Sequence, residues 1–172
     1  TDLSKQIAVI DKLQQVADYI IQLKRHEDYT DDDTMIKYHH MLRELNTTFF
    51  SKLGPFHLPL NPKWQVSTLI VEKCRFMSSK MVPLWLVFQN ADPDGAPIYF
   101  IFKSGDDLRQ DMLTIQILRV MDQLWLQHGI DLRLTTYDVI ATGINSQNEG
   151  VGMIEVVLNS DTTSSIQVKY GG

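Results

Sequence analysis

The sequence predicts an α+β fold, an antiparallel sheet with one packed helix, preceded by a helical hairpin. Three observations carry that expectation. Apolar residues recur at helical spacing as far as Phe49, the period turns strand-like after Gly54, and one long apolar helix pattern interrupts the strands near residue 107.

The elements follow in order. Over residues 3–25, Ile7, Ile10, Leu13, Ala17, Ile20 and Ile21 mark an amphipathic helix. A second begins at the acidic stretch 30–33, whose carboxylates suit the positive end of a helix dipole. It carries Met35, Tyr38, Met41, Leu42, Leu45 and Phe49 on one side and ends near Gly54. A proline-bearing connector over 54–62 then leads to strands at 68–71, 83–89 and 98–103. Asp92-Pro93-Asp94-Gly95 between the last two is a turn, since Pro presets φ and Gly accepts positive φ. Its carboxylates do not make a calcium loop, because the other ligand positions are missing.

Asp106 or Asp107 opens the strongest helix, which runs to about Gln127 and is stopped by Gly129. Leu113, Ile117, Val120 and Leu124 form one stripe with further apolar residues beside it, so the helix needs cover on more than one side. Short strands at 131–134 and 138–141 precede an apolar extended run at 152–158. Asn159-Ser160-Asp161 reads as the cap of a last helix.

Composition narrows the function classes. A net charge of −5 argues against wholesale binding of nucleic acid or an anionic membrane. Cys74 is the sole cysteine, which excludes an intrachain disulfide and a thiolate metal cluster and reads as intracellular. It is expected to be a small core residue. No apolar run approaches the roughly 20 residues that span a bilayer. Asn46-Thr47-Thr48 fits a glycosylation sequon, a pattern common by chance. His39-His40 lacks a ligand at helical spacing for a zinc site, and His26, His57 and His128 are scattered. Thr1 and Gly171-Gly172 read as cuts in a longer protein.

The segment that carries chemistry is Ile101-Phe102-Lys103-Ser104-Gly105-Asp106-Asp107-Leu108-Arg109-Gln110-Asp111. A lysine ends a buried strand, a glycine turn follows, and acidic residues open a helix within reach. Phosphoryl transfer needs a fixed cation against the phosphates of ATP, and a strand end holds one more rigidly than a loop. Taken alone, such residues are more often a solvated flank and a helix cap.

The run Gly105 to Met112 resembles the small-lobe signature of the phosphoinositide 3-kinases. Val71-Glu72-Lys73-Cys74, Pro83-Leu84-Trp85, Thr142-Gly143 and the run Gly152 to Val157 resemble further landmarks of that family, in its order and spacing. The likeness covers roughly residues 69–170. It implies a helical-domain end and linker helices at 1–54, a kinase small lobe with the inter-lobe linker at 55–158, and the start of a large lobe at 159–172. It also implies that Lys103 contacts the ATP phosphates, with Ser79 and Lys80 in the loop that covers them. Met77, Trp85 and Ile101 would roof the adenine, and Tyr137 and Asp111 would line an inner pocket. Ile154, Glu155 and Val157 fall on the linker, where the Glu155 carbonyl and the Val157 amide would read the base. Met81 and Val82 depart from the family's class I members, which often carry Lys there. Met121 to Gln127, Ile166 to Gly171 and Asn90-Ala91-Asp92-Pro93 look more like class II.

The resemblance implies transfer of the ATP γ-phosphoryl group to the 3-hydroxyl of a phosphoinositide, with magnesium required. No Asp-Arg-His or Asp-Phe-Gly sequence occurs in the 172 residues. The catalytic base and metal ligands are therefore expected in a large lobe beyond this segment, which alone would be inactive. The protein is expected to be cytoplasmic and peripherally membrane-associated, to bind no nucleic acid, and to pack its other domains on residues 1–54. Two alternatives stand beside this, a protein kinase of the same superfamily and a non-catalytic interaction module on a degenerate lobe.

Overall fold

The computed structural model describes residues 1–25, 30–79 and 81–171; His26 and Lys80 lie outside them. Helix α1 (Asp2–Arg25) turns Val9, Leu13, Val16, Ala17, Ile20 and Leu23 inward. Helix α2 (Asp31–Leu45) starts in a reciprocal capping box. The Thr30 hydroxyl accepts the Asp33 amide at 3.1 Å while the Asp33 carboxylate accepts the Thr30 amide at 3.2 Å.

Past α2 the backbone widens into a π turn, Asn46–Phe50, and closes through the short α3 (Ser51–Leu53) to Gly54 at φ 67. Such turns re-aim side chains. Here Asn46 pairs with the backbone of Leu69, donating to its carbonyl at 2.8 Å and accepting its amide at 2.9 Å. The asparagine that heads the sequon is therefore engaged in joining helix to sheet.

Among the described residues the sheet has seven strands: β1 (Phe56–Leu58), β2 (Asn61–Leu69), β3 (Arg75–Phe76), β4 (Leu84–Asn90), β5 (Ile98–Ser104), β6 (Val139–Ile144) and β7 (Gly150–Glu155). Their order is β1-β2-β4-β5-β7-β6, with β3 also paired to β4, and every pairing is antiparallel. Helix α4 (Arg109–Gln127) lies against β6, and α5 (Thr163–Tyr170) follows β7.

The α+β class and the helical hairpin are as expected, but several details differ. The connector at 54–62 contains β1 and the start of β2, because Phe56 and Leu58 bury alternately despite the flanking prolines. Residues 70 and 71 leave the strand, and Val71–Lys73 form a 3-10 turn. Gly95 is not left-handed. A Cβ there would meet Asn90 Cγ at 2.4 Å, so the Asn90 side chain would have to shift. Residues 131–134 form no strand; Leu132 and Leu134 are exposed and Arg133 sits at φ 51. Thr162, rather than residues 159–161, caps α5 by accepting the Ser165 amide at 3.0 Å. Helix α4 begins at Arg109, and only its Ile115 is buried; Leu113, Ile117, Val120 and Leu124 face solvent.

The core lies between the hairpin and one face of the sheet. Its centre is a run of phenylalanines. Phe50 meets Phe88 edge-on with centroids 5.2 Å apart, and Phe88 stacks on Phe100 at 5.8 Å and meets Phe56 edge-on at 5.9 Å. Such pairs add to the burial gain of each ring. Cys74 sits in the same core, where its sulfur accepts the Val87 amide at 3.3 Å, and burial pushes its thiol up to about 11. Among the described residues no helix is long and apolar enough to cross a membrane.

Removing the central ring by Phe88→Ala is expected to cost about 3–5 kcal/mol, read from urea or thermal unfolding; a loss within the range of surface changes would show that the cluster is not the core. Cys74 should resist iodoacetamide at pH 7 in the folded protein and react once unfolded.

Candidate functional site

The sheet's second face is built by the same alternation that makes the core. Along β5, Ile98, Phe100, Phe102 and Ser104 point inward, and Tyr99, Ile101 and Lys103 point out. Register extends each set across the strands. Phe76, Leu84, Phe102, Met153 and Ile140 form one inward row, while Arg75, Trp85, Ile101, Ile154 and Val139 form the outward row beside it. Trp85, Ile101 and Ile154, far apart in sequence, thus lie side by side.

A cleft of about 420 Å³ opens on this face, lined by Trp85, Ile101 and the backbone turn from Glu155 to Thr162. The Val157 amide makes no hydrogen bond to any described residue, and its carbonyl accepts the Ser160 hydroxyl at 2.6 Å. Arg75 also lines the cleft, its guanidinium 4.6 Å from the centre of the Trp85 ring. Sequence reasoning missed it; the available signal was its position two residues before Met77 in a short strand.

One row further along, the Met77 amide donates to the Pro83 carbonyl at 2.9 Å and Lys103 stands opposite Gly152. Lys103 Nζ reaches Asp106 Oδ2 at 2.5 Å, so its partner is the turn before α4 and not a residue within the helix. Asp106 takes one of the three ammonium donors and leaves the others for an anion. The turn is pinned because the Gly105 and Asp106 amides both donate to the Gly150 carbonyl, at 2.8 and 3.0 Å. Gly105 is left-handed at φ 96. Met81, where a lysine was noted as absent, has its methyl carbon 2.1 Å from where a Gly105 Cβ would stand.

The structure therefore brings Trp85, Ile101, Glu155 and Val157 to one cleft, with Ile154 beside Ile101 in the outward row and Met77 and Lys103 on the same face. Ser79 is exposed in the turn between β3 and β4, its amide on the Met77 carbonyl at 2.9 Å, and its neighbour Lys80 is outside the described residues. Asp111 and Tyr137 do not join the cleft. Asp111 is exposed in the first turn of α4, and Tyr137 lies in the segment before β6 with Arg119 on its carbonyl at 3.2 Å. His39, set aside as a ligand, bonds the Cys74 carbonyl at 2.8 Å. Among the described residues no three His, Cys, Asp or Glu gather where they could hold a metal ion.

Residues 97–172 match the family described as phosphatidylinositol 3- and 4-kinase. Phosphatidylinositol 3-kinase 1 of Dictyostelium discoideum is 46% identical over 171 residues, 99% of this chain and 10% of that protein. Phosphatidylinositol 3-kinase 2 of the same organism is 54% identical over 117 residues, 68% of this chain and 6% of its own length. The chain belongs to the phosphatidylinositol 3- and 4-kinase family. The human phosphatidylinositol 4-phosphate 3-kinase C2 domain-containing subunit beta is also similar, 44% identical over 123 residues, 72% of this chain and 7% of that protein. The chain thus spans about a tenth or less of the length of the curated relatives it matches.

The start of α4 is held by a second charged pair. The Arg109 guanidinium grips Asp107 through Nε and a terminal nitrogen, at 2.8 and 2.6 Å, and the Arg109 amide adds a bond at 3.1 Å. These bonds lower the Asp107 carboxyl from the usual carboxylate range to about 2. A depressed carboxyl favours the folded state above its unfolded pKa and loses that contribution as pH falls from about 4 toward 2. Arg109→Gln should return the Asp107 midpoint toward 3.8, followed by carboxyl-carbon NMR. A midpoint still near 2 would mean that another group sets it.

Gly150→Ala is a sharper probe of the lysine's support. Its Cβ would come within 2.6 Å of the Asp106 carbonyl and 2.7 Å of Asp107 Cα, so the turn must move. A loss of about 1–3 kcal/mol in unfolding free energy is expected; unchanged stability would show that the turn is not pinned.

Proposed function

We propose that this chain is the ATP-binding small lobe of a phosphatidylinositol 3-kinase that transfers the γ-phosphoryl group of ATP to the 3-hydroxyl of a phosphoinositide. The observation that carries it is the juxtaposition on one sheet face of a cleft floored by Trp85 and Ile101, an extended backbone edge and a fixed cation. Trp85 and Ile101 offer a flat apolar surface to a purine, and the backbone of 155–157 offers donors and acceptors of fixed geometry. Lys103, held one row away by Asp106, supplies charge for the phosphates.

Kinases of this family use ATP with a divalent metal, which supplies charge to the transferring phosphates when bound. In this reading magnesium, the catalytic base and the lipid-reading loop belong to residues beyond those described. The protein acts in the cytoplasm at a membrane surface, and residues 1–54 receive its other domains. The similarity to the human C2 domain-containing enzyme supports a class II-like assignment, with phosphatidylinositol and its 4-phosphate as substrates to try first.

Lys103→Met in the full-length protein should lower lipid phosphorylation on the order of 10²–10³-fold, since a preorganised charge at the developing anion is removed. Assays on phosphoinositide vesicles with radiolabelled ATP measure it. Undiminished turnover would refute the assignment, and activity confined to peptide substrates would favour the protein-kinase alternative.

A further inference from the structure

The junction of β6 and β7 departs from a regular ladder at one point. In an antiparallel pair, facing residues that bond exchange two hydrogen bonds. The Glu155 amide donates to the Asp138 carbonyl at 2.8 Å, but the return bond is not made. The Asp138 amide instead donates to Glu155 Oε2 at 2.7 Å. The side chain has taken the donor that its own carbonyl would have used.

On the other side, Glu155 faces Phe100, but the exchanges between β5 and β7 run through alternate positions. The Val156 amide donates to Tyr99 and the Gly105 amide to Gly150, which leaves Phe100 and Glu155 as a non-bonded pair. The Glu155 carbonyl is thus free of both neighbouring strands among the described residues. Two residues on lies the Val157 amide, so the edge presents an acceptor and a donor in turn.

Asp138 is itself held by two side chains. Its Oδ1 accepts Arg119 of α4 at 2.5 Å, its Oδ2 accepts the Asn61 side chain of β2 at 2.9 Å, and Arg119 also bonds the adjacent Tyr137 carbonyl at 3.2 Å. The amide that Glu155 grips therefore cannot drift back into the ladder. We propose that the Glu155 side chain, locked on the Asp138 amide, is a positioning residue that releases its own backbone carbonyl to accept the amino group of adenine. This rests on the nucleotide reading above. Glu155 then acts twice, its carboxylate occupying a strand donor so that its carbonyl can select a base bearing an exocyclic amine.

The test compares kcat/KM of the full-length kinase for ATP and for purine riboside triphosphate, which is ATP without the 6-amino group. Both are measured on one preparation, so the ratio does not depend on the folded fraction. Wild type should prefer ATP, and Glu155→Leu should cut that preference about 5- to 10-fold, through KM, as expected for one hydrogen bond. Glu155→Gln, whose amide oxygen still accepts from Asp138, should restore most of it. Asp138→Ala should shift the ratio the same way by about 2-fold, the scale of a partly exposed ion pair, and serves where the leucine variant does not fold. A wild-type preference that survives both Glu155→Leu and Asp138→Ala overturns the positioning role alone. So does a Gln variant as impaired as the Leu variant. A wild type that does not distinguish the two nucleotides overturns the nucleotide reading and this proposal together.

Discussion

The contact between Phe88 and its three ring neighbours is the constraint on which the other features hang. Phe50 comes from the π turn after α2, Phe56 from the strand that follows, and Phe88 and Phe100 from the middle of the sheet. One apolar cluster therefore decides both how the hairpin lies on the sheet and which sheet face is inside. The π turn is part of the same arrangement, since it seats Phe50 while turning Asn46 onto Leu69.

Once Phe88 and Phe100 are inside, register fixes the outer face without further choice. A slip of one residue in β5 would bury Lys103 and expose Phe102. The phenylalanines thus hold Trp85, Ile101 and Lys103 in place although none of them touches the cleft. The glycines of β7 do complementary work at the far end, where Gly150 and Gly152 let the turn and Leu108 approach closer than a side chain would allow.

How much of this was legible depended on whether a pattern stayed continuous. Helix α1, β4, β5 and α4 were readable because their periods run unbroken. Strand β1 and the first part of β2 were not, since Pro55 and Pro59 flank the one, Pro62 sits in the other, and most of β2 is partly exposed. The Leu132 and Leu134 alternation looked like a strand, yet β6 already ends the sheet's path and the segment pairs with nothing among the described residues. In the site, the spacing of Trp85, Ile101 and Lys103 alone fits an ordinary sheet; only family resemblance singled them out. Arg75 and the network that Asn61, Arg119 and Asp138 build around the Glu155 side chain had no such signal. Those residues meet through tertiary packing, and no local spacing marks polar partners drawn from four separate segments.

The placement of α1 has a mechanical meaning. Its inward stripe rests on the inner side of β5, and the outer side of that strand is the floor of the cleft, so one strand's thickness separates the hairpin from Ile101 and Lys103. A close-packed interior resists sliding, because side chains that interdigitate cannot shear without opening voids. Hairpin and cleft floor therefore form a single stiff plate, and the exposed 131–134 segment and the outer side of α4 lie outside what the rings clamp.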